Sequence, residues 1–233
     1  MPKQDMSHFD EQVPWLALLP VLATIFFYLL PKPVQQHPAV QFLPQVLGYI
    51  GLALWMRYNT AIPERMGLSL GLIPQGVRWG SVTGLLLGIF NTAIILLVVP
   101  ALGGNIEFLK DTPHAKIPTL VMVPWAILGI GLWVEINFRG FLLGRLVSLF
   151  QSWSLRIGKR GDAAVGVAVT TSALVFAFDP FLVATFKHLH WIAVWDGIIW
   201  GVIWVRLRNL YAVIIAHTVE VILMYLVVKM ALL

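Results

Sequence analysis

Run after run of about 20 residues passes along this chain with hardly a charge, and nothing else so narrows what it can fold into. No water reaches the hydrocarbon core of a bilayer, so each crossing segment must satisfy its own backbone groups. A helix does this within one segment. The sequence is 59% hydrophobic and 12% charged, where a soluble domain carries about 25% charged residues. An all-α, polytopic integral membrane helix bundle is therefore expected.

Seven spans are expected, at 14–31, 38–57, 79–101, 118–138, 163–180, 189–205 and 210–231, with room for an eighth. Prolines and polar residues punctuate them at Pro31-Lys32-Pro33, Pro63-Glu64-Arg65, Pro100 and Pro180. Residues 1–13 form a polar, mildly acidic N-terminal segment, which does not read as a cleavable signal. Residues 14–233 read as a single transmembrane domain. From 139 to 157 an apolar face of Phe141, Leu142, Leu146, Phe150 and Trp153 leaves Arg145 and Arg156 off it. That pattern predicts an amphipathic helix that continues the fourth span and lies along the membrane interface.

Charge sets the expected orientation. With seven spans, Lys3, Arg57, Arg65, Arg78, Arg139, Arg145, Arg156, Lys159, Arg160, Arg206 and Arg208 share the side of the N-terminus. Lys32, Lys110, Lys116, Lys187 and Lys229 are left for the other. The basic side faces the cytoplasm, so the N-terminus is expected there. A net charge of +5 also suits nucleic acid, but these residues sit in loops facing anionic lipid, and no nucleic-acid partner is expected. The chain has no cysteine, which excludes disulfides, thiolate metal sites and a cysteine nucleophile.

At the end of the fourth span, Glu135 and Arg139 stand four residues apart and so on one helix face. An ionisable residue there costs roughly 2.5 to 3.5 kcal/mol, so it needs a partner or a purpose. The first expectation is an intramembrane ion pair that pins neighbouring helices, with His217 hydrogen-bonded to it. Asp196 lies one turn into the sixth span and is expected to pair with Arg206 or Arg208, or to face a partner chain. Trp191, Trp195, Trp200 and Trp204 line one broad helix face that suits lipid, another subunit or a flat ligand. Gly197 and Gly201 form a small-xxx-small pair suited to internal packing. His188 and His190, flanking Leu189, read as interface residues.

The motifs around these residues resemble those of the CPBP family, which comprises type II CAAX prenyl endopeptidases and bacteriocin-processing or bacteriocin-immunity (Abi) proteins. The resemblance runs over about 64–232. Pro63-Glu64-Arg65-Met66-Gly67-Leu68 looks like the family's lead-in loop, and Phe138-Arg139-Gly140-Phe141-Leu142 like its most recognisable run. Ser172 to Ala177 looks like the approach to the second motif. Asp196-Gly197, Asn209-Leu210-Tyr211-Ala212 and Ala216-His217 look like the third.

The family pattern is Glu-Glu-x-x-x-Arg, then Phe-x-x-x-His, then His-x-x-x-Asn or Asp. It implies an intramembrane endopeptidase in which the first glutamate and second-motif histidine activate water. Here Glu135, Arg139, Phe176 and His217 are kept, while Val134, Pro180 and Val221 stand at the first glutamate, the second-motif histidine and the final asparagine. Neither valine nor proline can accept a proton from water. The resemblance therefore implies a proteolytically inactive member that binds membrane lipid and another integral membrane protein or complex, in assembly, stabilisation or regulation. No cofactor or metal is expected. The alternative is an active endopeptidase with a rearranged site, in which Asp179 and Glu220 join Glu135 and His217 around acid–base chemistry or a divalent metal such as zinc. A transporter or pigment carrier finds no internal repeat to support it.

Overall fold

A computed structural model describes residues 11–156 and 161–232. Most of the polar segment 1–13 lies outside the described residues, as do Lys159 and Arg160. Among the described residues the regular structure is helical, without strands. Eight helices carry the architecture: α1 (Leu18–Leu29), α2 (Leu43–Tyr58), α3 (Ile73–Ala93), α4 (Thr119–Arg156), α5 (Gly161–Ala177), α6 (Pro180–Phe186), α7 (Ile192–Leu207) and α8 (Leu210–Leu232).

Prolines set many of the boundaries. Pro44, Pro74 and Pro180 stand in the first turns of α2, α3 and α6, where a missing N–H costs nothing. Pro124 sits inside α4 and removes a backbone donor. Beyond it the helix is wound more loosely, with π-type turns over Ala126–Val134 and Ile136–Leu143. α3 likewise continues through a π turn, Ile94–Val98, to Ala101.

Helix occurs within each of the seven expected stretches. Three helical stretches are long and apolar enough to cross a bilayer: Ile62–Ala101, Thr119–Arg156 and Leu210–Leu232. A fourth is added if Gly161–Ala177 and Pro180–Leu189, bent by 54° at their junction, count as one span. α2 and α7, at 16 residues each, are about 24 Å long, short of the roughly 30 Å hydrocarbon core. Leu86, Leu97 and Leu120 stand largely exposed on the surface, as lipid-facing side chains do.

The helix expected over 139–157 does continue the fourth span, as part of one 38-residue helix that is described to Arg156, but the burial expected of it needs correcting. Phe141, Leu142 and Leu146 are buried, and so is Arg145, which the amphipathic reading placed in water. Arg145 can be buried because Glu11 and Trp55 meet it from distant segments. Its Nε lies 2.5 Å from Glu11 Oε1, and its guanidinium carbon lies 3.9 Å from the Trp55 ring centre.

The closest helix pairing is between α3 and α8. Gly76, Gly80, Gly84 and Gly88 recur every fourth residue on α3 and face α8. A Cβ at Gly80 would lie 2.6 Å from the Ala212 carbonyl oxygen, and one at Gly84 2.5 Å from that of Ala216. Glycine lets the two backbones touch, and in lipid such packing drives association. Gly197 and Gly201 pack inward too, against Ala173 and Val169 of α5. The central core gathers Trp55, Phe141, Leu143, Leu146, Trp204 and Leu210.

Candidate functional site

Three helices bring the buried ionisable groups together. α4 supplies Glu135 and Arg139, both fully buried. Their i,i+4 spacing lets Arg139 NH1 donate to Glu135 Oε1 at 2.9 Å. α8 delivers His217, whose Nδ1 lies 2.7 Å from the same oxygen. Facing a carboxylate oxygen, Nδ1 is the donating nitrogen of the imidazole. Aromatic rings close the rest of the space. Trp200 stacks on His217 with centroids 4.3 Å apart and planes 26° apart. The Arg139 guanidinium lies 4.5 Å from the Phe176 ring centre and 5.0 Å from that of Trp200. The phenylalanine of the second motif thus serves as a wall for the arginine of the first.

A second polar layer adjoins this one. Asn91 of α3 is fully buried, and its Nδ2 donates to Glu220 Oε1 at 2.7 Å and to both Asp196 oxygens, at 3.0 and 3.1 Å. Trp195 Nε1 donates back to Asn91 Oδ1 at 2.9 Å. One amide nitrogen thus bridges the two carboxyl groups, Asp196 on α7 and Glu220 on α8. Asn91 escaped the sequence reading. Its signal was present: a lone amide in an apolar span marks a polar site. Asn91→Leu strands Asp196, Glu220 and Trp195, each without its amide partner. It is expected to destabilise the fold by about 2 to 4 kcal/mol, measured as the thermal midpoint in detergent.

The structure separates other residues from the site. Asp179 does not reach Glu135. Its Oδ1 caps α6 by accepting from the Leu182 N–H at 3.2 Å, and it accepts from Gln45 Nε2 at 3.0 Å. Pro180 opens a helix, and that makes the preceding aspartate an N-cap. Asp196 pairs with Asn91 rather than with Arg206 or Arg208. The four tryptophans do not share one open face. Trp200 and Trp204 are buried, Trp204 Nε1 donates to the Met66 carbonyl at 3.0 Å, and Trp191 is the most open. His190 Nδ1 contacts the Lys187 carbonyl at 2.5 Å, and His188 packs against Phe108.

A divalent ion such as zinc would need about four ligands. Glu135 and His217 are bound to one another, and a cation there would meet the Arg139 guanidinium. Among the described residues no three His, Asp or Glu side chains are placed to share an ion. These residues do not fit a resident metal. What remains is a carboxylate–imidazole pair held by an arginine, with Val134 and Val221 partly buried and Pro180 in a helix turn at the three departing motif positions.

Residues 116–223, which contain α4 through most of α8, match the type II CAAX prenyl endopeptidase Rce1-like family. No curated protein and no solved structure matches the chain significantly.

Proposed function

The chain belongs to the CPBP family through residues 116–223, and from that premise we propose that it is a member that does not cleave. It binds another integral membrane protein or complex and assists its assembly, stabilisation or regulation. In this reading the chain crosses the membrane seven times, with its N-terminus in the cytoplasm.

The observation that carries the proposal is the enclosure of Glu135, which is fully buried and whose Oε2 faces no hydrogen-bonding group. One of its oxygens is held by both Arg139 and His217, inside a wall of Phe176 and Trp200. A catalytic carboxylate must present an oxygen to water, and water must then be held by a second base. Here valine and proline occupy those second positions. A buried ion pair of this kind is retained for the fold, because removing one partner leaves an uncompensated charge.

One feature favours the alternative endopeptidase. Glu135 touches His217 Nδ1, the arrangement by which a carboxylate orients a general-base histidine. The two readings separate in one preparation, the protein purified from its native membrane in mild detergent. Mass spectrometry is expected to find a stoichiometric membrane-protein partner, with no cleavage of prenylated or unmodified peptides. A lone chain that cleaves them, with cleavage lost in a folded Glu135→Gln variant, would overturn the proposal.

A further inference from the structure

Asp196 and Glu220 stand outside the Glu135–Arg139 pair, and one neutral side chain serves them both. Asn91 has two N–H groups on Nδ2. They meet three carboxyl oxygens: both of Asp196, at 3.0 and 3.1 Å, and Oε1 of Glu220, at 2.7 Å. Glu220 Oε2 is buried and has no hydrogen-bond partner. Asp196 is 4% exposed and Glu220 1%, so bulk solvent screens neither. The three residues come from α3, α7 and α8, within stretches whose composition suits the membrane.

The charges around this amide do not balance. Among the described residues, the titratable groups that bear on the two acids are Glu135 and Arg139 of α4. His217 of α8 is joined to Glu135 at 2.7 Å. Arg139 is the permanent cation of the group, and its NH1 already serves Glu135 at 2.9 Å. Three carboxyl groups thus face one guanidinium and one imidazole. With all three ionised, the negative charges outnumber the positive ones even when the imidazole is protonated. A surplus charge buried in a bilayer is so costly that the group neutralises instead. Arg139 and His217 hold Glu135 as an anion, whereas a neutral amide meets Asp196 and Glu220. The missing proton therefore belongs to those two.

We propose that Asp196 and Glu220 form an intramembrane proton site, which holds one proton at neutral pH and keeps α3, α7 and α8 together while it does. The ligand is the proton, which needs no cavity. An ionised carboxyl only accepts, but with the proton on, one member of the pair becomes a donor as well. Loss of the proton leaves two like charges on the same amide, and these push α7 and α8 apart. Carboxyls in water ionise at about pH 4, so the unfolded chain gives up at neutral pH a proton that the folded chain keeps. Stability then falls as pH rises through the range in which the folded pair ionises. The two acids titrate as a unit rather than singly. The site stands whether or not Glu135 is catalytic.

The test uses the full chain in detergent, with infrared spectra and thermal midpoints taken from neutral to alkaline pH. A neutral carboxyl has a C=O stretch well apart from the carboxylate bands. Asp196→Asn and Glu220→Gln each replace an acid by an amide of the same shape, which takes the place of the neutral member. Wild type minus either variant is expected to show one neutral carboxyl per chain at neutral pH. That band should fade on alkalinisation, and the wild-type midpoint should fall with it. Each variant should lose at least half of that fall, and one folded variant suffices for the comparison. A wild-type spectrum at neutral pH with no neutral carboxyl that the variants remove would overturn the proposal, because both acids would then be ionised in place. So would a wild-type midpoint that stays level while the band fades.

Discussion

Glu135→Gln is expected to lower the thermal midpoint in detergent by roughly 6 to 20 °C and to cut the yield of folded protein. The pair it breaks is fully buried, with Arg139 NH1 2.9 Å from Glu135 Oε1. Glutamine is close in shape, so packing is nearly preserved and the effect isolates the charge. Arg139 would keep its guanidinium in an apolar wall of Phe176 and Trp200, with Nε and NH2 already lacking partners. Stranding a buried charge in this way costs about 3 to 5 kcal/mol. Each kcal/mol is worth about 2 to 4 °C in a chain of this size. The double variant Glu135→Gln, Arg139→Met should recover much of the loss, since it leaves no charge behind. His217→Phe should cost less than Glu135→Gln, because phenylalanine keeps the stack on Trp200. A Glu135→Gln protein with the parental midpoint would remove the structural role argued for this pair.

The second large effect is expected at Gly84. Its missing side chain lets α3 and α8 touch, and valine there would put a Cβ 2.5 Å from the Ala216 carbonyl oxygen and 2.8 Å from Val219 Cβ. Carbonyl oxygen on a helix cannot rotate aside, so one helix must move. Overpacking of this kind costs about 1 to 3 kcal/mol and sometimes more. The displacement also reaches the polar layer. Asn91 lies two turns further along α3, and its partner Glu220 lies on α8 one turn from Ala216. Gly84→Val should therefore lose folded monomer in detergent, beyond what a valine does elsewhere. Gly71→Val is the control, because a Cβ there meets nothing within 4 Å. Equal midpoints for the two variants would show that the helices are not packed this closely.

What was legible in the sequence follows from how local each interaction is. The Glu135–Arg139 pair was readable because helical spacing alone puts the two on one face. His217 joined them through the spacing of a family motif, although 82 residues separate it from Glu135. The fate of Asp179 was also written locally, since an aspartate before a helix-opening proline is a cap, and as a cap it is not free to enter a catalytic site. Arg145 misled the reading for the opposite reason. An amphipathic pattern assumes that a charged residue seeks water, and here Glu11 and Trp55 stand in for water.

By itself, the sequence determined the membrane class, the helical architecture, the proline-marked boundaries and the motif positions where valine and proline stand. Each of these depends on composition or on neighbours within a turn or two. Only the tertiary structure decided which buried polar groups have partners. Asn91 meets Asp196 and Glu220 across 105 and 129 residues of chain, and the four glycines of α3 find α8 from the other half of the molecule. Burial of a charge is tolerated or ruinous according to what lies within about 3 Å of it, and that distance is set by helix packing.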